Sequence, residues 1–466
     1  RNSPVLYMLV AMILLYAPWM GRGYVNWEWP HALAGESFSS ASKSSLLNAY
    51  WESDQANPLG FPILLGILYQ IVGFHDWFWL SRVPSLIGSG LILISGWNIF
   101  PRDVNKNRSF FYWSSLVMLS PMLFVYSTAV TSDVLPVGLT LLSIALLIYE
   151  QKRRKITILL SSLFFGMAAT VRYISPYFLG SIVALIFNKQ IQIKHNLFHR
   201  LRTLFIFGIV SSSVLLICIW WMNSRFNVFI SVRRDAVPNF IDGKMWLLTF
   251  LKYVSFLGLF GGLLPFAVFV NNLRSYRSKF FGFFFALFTA MVGWFLVSPL
   301  SVGEMDFGNG FPGGRFMMRG IETFGLVSGV ALFPVFFKQF FSLNRRHKVL
   351  LSGMIPYLVL ISASRPTQRY LIYAIPIVLL LLVDASNDLN VKLRNLTLGL
   401  TAFGFAAVSL LGMSYLRAQG NASENMAVWL ERNQVIGQTS ASPIAVHAGQ
   451  HFYGITSNET RYEVIQ

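Results

Sequence analysis

The chain has 466 residues, of which 55% are hydrophobic and only 12% charged, with a mean hydropathy of +0.56. A soluble enzyme carries about a quarter charged residues, so that class is excluded. The net charge of +18 does not signal nucleic acid, because the bases flank apolar runs and form no patch interleaved with aromatics.

Apolar runs long enough to cross a bilayer need about 20 residues. Thirteen are expected, starting near Pro4, Ser85, Ser109, Val134, Ile156, Ser175, Leu204, Leu248, Phe280, Ile321, Val349, Leu371 and Leu396. The expected fold class is an all-α polytopic membrane protein. The first run reads as a retained helix, since no convincing cleavage site follows it. Leu59 to Gly73 is apolar but short, with Pro62 inside. It reads as an interfacial helix in the first outer loop, beside a second one near Trp29 to Phe38.

The loops between these runs alternate in charge. One set, with Arg1, holds 21 Lys and Arg and four acids (Asp103, Glu150, Asp384, Asp388), a net of +17. The other set holds 16 bases and 15 acids, a net of +1. Basic loops stay in the cytoplasm, so nearly every carboxylate lies on the outer side. Acid–base chemistry is therefore expected there. The outer loops run from Gly21 to about Pro84, Ser224 to Trp246, Pro299 to Gly320, Ser364 to Tyr370, and from Arg417 onward. Residues 1–416 form the expected transmembrane domain. Residues 417–466 form an outer-side segment, with a helix from Asn421 to Asn433 and a strand from Pro443 to His447, read as the start of a small αβ domain. The one cysteine, Cys218, lies in an apolar run, which rules out a disulfide framework. No internal repeat is visible.

The first outer loop contains Glu28, His31, Glu36, Lys43, Glu52, Asp54, His75 and Asp76. Glu28 follows the first span closely, and on a helix it would share a face with His31. Such a carboxylate suits a general base or a metal ligand, and an ordinary solvated acid is the alternative. Asp133 ends Thr131-Ser-Asp and either caps the helix at Val134 or acts in chemistry. Arg172 sits at an outer boundary, against the topology trend. It either snorkels to headgroups or binds substrate. Arg315 and Arg319 follow a glycine-rich loop, and Arg365 and Arg369 precede Tyr370. These arginines suit a phosphate, which guanidinium groups bind bidentately, or else pair with Glu304 and Asp306. His447 and His451 lack a third ligand nearby. A divalent metal is compatible with the acids, and no other cofactor is implied.

Several stretches together resemble a known family. They are Glu28-Trp-Pro-His31-Ala, Asn57-Pro-Leu-Gly-Phe-Pro62, the aromatic turn Phe74 to Leu80 leading into Arg82-Val-Pro-Ser85, Ser120-Pro121 to Asp133, Arg369-Tyr370 with Pro376, and Trp429 to Asn433. In order and spacing this resembles the GT-C glycosyltransferases, nearest the protein O-mannosyltransferase and lipid A aminoarabinose transferase group. The resemblance implies transfer of a sugar from a polyprenyl-phosphate donor to a lipid, glycan or protein acceptor on the outer face of a membrane. It also implies a bacterial inner (plasma) membrane with a periplasmic site, and no nucleic acid partner. In the family an Asp precedes the Glu, and Trp27 stands there in this chain. The base is then Glu28, Glu36 or Asp54. Asp133 orients the donor or binds the acceptor, with His31, Lys43, Arg172, Arg315, Arg369 and Tyr370 as substrate contacts. A flippase of lipid-linked sugar and a lipid-presenting relative without catalysis are the competing readings.

Overall fold

The computed structural model describes residues 3–25, 28, 31–32, 34–35, 60–72, 77–100, 106–149, 154–187, 197–226, 243–273, 314–341, 344–363 and 368–432. Among them regular structure is entirely helical. In chain order the helices are α1 (Ser3–Met20), α2 (Gly60–Val72), α3 (Trp77–Ile99), α4 (Lys106–Leu119), α5 (Pro121–Ser127), α6 (Val134–Tyr149), α7 (Arg154–Val171), α8 (Leu179–Phe187) and α9 (Leu197–Phe226). Then come α10 (Gly243–Gly261), α11 (Leu264–Leu273), α12 (Gly314–Phe341), α13 (Arg345–Ser362), α14 (Ile375–Ala385) and α15 (Val391–Arg432). Short 3₁₀ turns at Ser175–Phe178 and Gln368–Tyr373 lead into α8 and α14.

Helices stand at twelve of the thirteen expected positions, and the one near Phe280 lies outside the described residues. Four are long and apolar enough to cross a membrane: Phe78–Ile99, Arg200–Trp221, Thr323–Phe340 and Val391–Asn421. Two bent pairs raise the number to six when each is taken as one span. The α4/α5 pair bends by 67° at Ser120-Pro121, where proline lacks the N–H that a continuous helix would use. The α10/α11 pair bends by 91° at Gly262, whose φ of +60° favours glycine.

Two expectations change. Residues 314–320, expected in a loop, already belong to α12. The last span and the tail helix are one continuous helix of 42 residues, because no proline interrupts the residues around Arg417 and most of them favour helix. The strand at Pro443–His447 and the pair His447 and His451 lie outside the described residues. So does most of the Trp29–Phe38 helix, of which residues 31–32 and 34–35 are helical.

Small residues let the helices close on one another, as membrane helices require. A Cβ on Gly138 of α6 would lie 2.4 Å from the carbonyl oxygen of Gly88 on α3. A Cβ on Gly258 of α10 would lie 2.1 Å from the backbone nitrogen of Gly329 on α12. At the centre runs α14, buried from Ile375 to Val383 on every side. That all-round burial explains why its sequence shows no polar face.

The bundle has two polar ends. At one, Arg346 donates to the Ile99 carbonyl at 2.8 Å, Arg108 to Asn395 at 3.2 Å, and Lys338 pairs with Asp388 at 3.1 Å. These groups come from the basic loops. The opposite end of α3 carries Arg82, and there the other polar residues gather.

Candidate active site

The site is built on the segments that follow α1, α5 and α7. After α1 the chain turns at Val25. The Glu28 N–H donates to the Val25 carbonyl at 2.9 Å, and the Val25 N–H donates back to Glu28 Oε2 at 3.0 Å. The second bond matches the carboxylate half of a capping box, with a backbone carbonyl in place of the capping hydroxyl. It points the Glu28 carboxylate inward, where it is completely buried. Each oxygen accepts three hydrogen bonds. Oε1 takes Arg22 Nη2 at 3.2 Å, Arg82 Nε at 3.1 Å and the Val130 N–H at 2.8 Å. Oε2 takes Arg22 Nη1 at 2.5 Å, Arg82 Nη2 at 3.1 Å and Val25 N–H. Burial alone would raise the Glu28 pKa, but the two guanidinium groups outweigh it and hold the carboxyl down at about 2.

The second carboxylate is in a different state. Asp133 is 1% exposed. Its Oδ2 accepts from the Thr131 hydroxyl. Its Oδ1 stands 2.9 Å from Arg172 Nη1, but that N–H is aimed at Ser132 Oγ, 2.8 Å away. Oδ1 therefore has a cation beside it and no hydrogen bond among the described residues. On the far side of Arg172 the guanidinium lies 5.2 Å from the Tyr370 ring. Below it Tyr373 shares a 2.7 Å hydrogen bond with Ser175 and stacks on Phe178. Two buried guanidinium N–H groups, Arg172 Nη2 and Arg369 Nε, have no hydrogen-bond partner among the described residues.

His31 lies within electrostatic range of both carboxylates. Its ring meets Phe61 edge-on with centroids 5.5 Å apart. It feels the charges of Asp133, Arg172, Arg369 and Glu28, but burial dominates and pushes its pKa down to about 3. The imidazole is therefore neutral at ordinary pH. Among the described residues, four guanidinium groups (Arg22, Arg82, Arg172, Arg369) face two carboxylates, and the surplus is positive.

Of the expected site residues, Glu28, His31, Asp133, Arg172, Arg369 and Tyr370 come together here. Lys43, Glu36 and Asp54 lie outside the described residues, and Arg315 is placed in the first turn of α12 by its backbone alone. Sequence reasoning missed Arg22. It too is an arginine at an outer boundary, the signal that singled out Arg172. Among the described residues no three His, Cys, Asp or Glu side chains group as metal ligands.

These pKa shifts give stability a pH dependence. A lowered folded pKa contributes stability that is complete above the ordinary value and is lost as pH falls toward the folded one. For His31 that window runs from 6.5 down to about 3, and for Glu28 from 4.5 down to about 2. Resistance to heat inactivation should therefore begin to fall below pH 6.5, by about 1.4 kcal/mol per pH unit. His31→Gln should flatten the decline between pH 6.5 and 4.5 and leave below it only the loss that Glu28 causes. An unchanged curve in that variant would show that His31 does not cause the decline.

No family model matches the chain, and no curated protein matches it in sequence. Among solved structures, ArnT from Cupriavidus metallidurans bound to undecaprenyl phosphate is similar with a TM-score of 0.50 and 14% identity. The match covers 97% of this chain and 76% of that one. The apo state of the same protein aligns with a TM-score of 0.49 and 15% identity, over 97% and 75%. The chain has the GT-C fold. Within that GT-C fold the ionic cluster sits at the end of α3 opposite the basic loops.

Proposed function

We propose that this protein transfers a sugar from a polyprenyl-phosphate carrier to an acceptor hydroxyl at the extracytoplasmic face of a membrane, in the manner of the GT-C enzymes. The observation that carries the reading is the buried cationic surplus, with Arg172 Nη2 and Arg369 Nε lacking hydrogen-bond partners among the described residues. Buried donors without acceptors are costly to a fold, and an anionic phosphate would satisfy both. The ArnT structure of the same fold holds undecaprenyl phosphate, a ligand of this chemical class.

The chemistry follows from these groups. The donor's phosphate oxygens lie against Arg172 and Arg369, whose charge stabilises them as the bond from the anomeric carbon to the phosphate oxygen breaks. The acceptor oxygen attacks the opposite face of that carbon, with inversion. Its proton passes to Asp133 Oδ1, and the lipid phosphate leaves as the anion. Asp133 suits this role better than Glu28, whose two oxygens each already accept three donors. Neutral His31 can exchange a hydrogen bond with a sugar or acceptor hydroxyl without adding charge. Tyr370, half-buried, lies within reach of whatever Arg172 holds. Lys43 and Arg315 complete the proposed substrate contacts. The acceptor is a lipid, glycan or protein. The membrane is a bacterial plasma membrane, supported by the short basic loops.

The test is transfer of radiolabelled sugar from a panel of polyprenyl-phosphate sugars by the purified chain in lipid nanodiscs. Transfer with inversion is the expected result. Binding of undecaprenyl phosphate with no transfer from any donor would favour a lipid-presenting protein, and movement of intact donor across vesicles would favour a flippase.

A further inference from the structure

Glu28 holds together four points of the chain, two close to it in sequence and two far away. They are Arg22 at the end of α1, the Val25 turn, Arg82 in α3, and Val130 in the stretch after α5. Val130 begins the run that ends in Asp133. Ala129 to Asp133 lies outside regular helix, so its conformation depends on what binds its backbone. On one side the Val130 N–H donates to Glu28. On the other, Ser85 Oγ donates to the Ala129 carbonyl at 2.7 Å and to the Thr131 carbonyl at 3.3 Å. Arg82 and Ser85 are neighbours one turn apart on α3, so one helix face sets both anchors. One and two residues beyond Val130, Thr131 and Ser132 supply the hydroxyls that orient Asp133 and Arg172. Among the described residues the Glu28 carboxylate bonds to Arg22, Val25, Arg82 and Val130, and not to Asp133, Arg172 or Arg369.

We propose that Glu28 is a positioning residue: bound to Arg22 and Arg82, it fixes the backbone at Val130 and thereby aims the Asp133–Arg172 pair. This inference rests on the sugar-transfer reading. Glu28→Gln would set an amide NH₂ where three donors now converge, and the Val130 anchor would shift. Displacement of a reacting group by about 1 Å costs on the order of a hundredfold in rate.

The test uses wild type, Glu28→Gln and Glu28→Asp as purified full chains in nanodiscs. The readouts are transfer rate across pH and the Kd for undecaprenyl phosphate. With Glu28 as a positioning residue, Glu28→Gln lowers kcat by roughly ten- to a hundredfold and keeps the wild-type acidic limb of the pH–rate profile. It also weakens undecaprenyl phosphate binding severalfold, because Arg172 moves with the turn. Glu28→Asp restores the charge and recovers part of both. Loss of the acidic limb with binding intact would make Glu28 the base and overturn the proposal. Wild-type kcat and Kd in the folded fraction would reduce Glu28 to a fold-stabilising residue and also overturn it. If Glu28→Gln does not fold, Glu28→Asp is read in the same way, because its shorter arm cannot keep all six bonds. Failure of the sugar-transfer reading is seen separately, in wild type that neither transfers from any donor nor binds undecaprenyl phosphate, and the positioning role falls with it.

Discussion

Asp133→Asn should reduce sugar transfer by about 10²- to 10⁴-fold, the range attributed to a positioned general base, while leaving undecaprenyl phosphate binding as tight as in wild type or tighter. The two effects have one origin. Among the described residues Asp133 Oδ1 accepts no hydrogen bond, and it lies 2.9 Å from Arg172 Nη1. An amide there keeps the shape and its Oδ1 but cannot accept the acceptor's proton at neutral pH. It also removes the negative charge that competes with phosphate for Arg172. Transfer that survives in Asp133→Asn would move the proton acceptor to another group, with the acids of the first outer loop next in line. Weaker binding would show that the Asp133 charge holds Arg172 in place and does not compete for it.

Arg82→Met should cost about 3–5 kcal/mol of stability, the usual penalty for removing one partner of a buried ion pair. Arg82 is fully buried. Besides Glu28 it donates to the carbonyls of Met20 and Arg22 at 2.6 Å each, and to Phe78 and Gly23 at 3.2 Å each. Methionine fills the volume but leaves these acceptors without that donor. Lysine should restore little, since a single ammonium cannot reproduce a planar fork with this many partners. Arg22→Met should cost less, because among the described residues Arg22 donates only to Gly23 and Glu28. The measurement is the midpoint of thermal aggregation in detergent. Equal midpoints for Arg82→Met and wild type would show that the cluster does not hold the fold.

The charge alternation was readable because it is local. Every loop carries its own bias, and the structure gathers Arg108, Asn395, Arg346, Lys338 and Asp388 at one end and Glu28, Asp133, Arg172 and Arg369 at the other. Most helix positions were readable for the same reason. What could not be read was the state of each acid. Glu28 and Asp133 looked alike as outer carboxylates near a span. They differ in the number of donors that meet them, and the donors to Glu28 come from 3, 6, 54 and 102 residues away. Spacing along a chain cannot count such partners. The break at Ser120-Pro121 was visible as a proline, but its 67° bend depends on packing across the bundle. The continuity of α15 past Arg417 was hidden by a change from apolar to polar composition that alters the surroundings of a helix and not its backbone.

The stretch between Gly35 and Gly60 leaves from and returns to fixed points. A Cβ on Gly35 would lie 2.6 Å from Leu65 Cβ, and one on Gly60 would lie 2.5 Å from the Thr170 carbonyl oxygen, two residues before Arg172. Both exits are thus wedged against helices that also carry the site. Closing a loop costs little more when it lengthens, about 0.6 kcal/mol for each doubling. A change in the number of residues between these two glycines should therefore cost little to the frame that carries the ionic cluster.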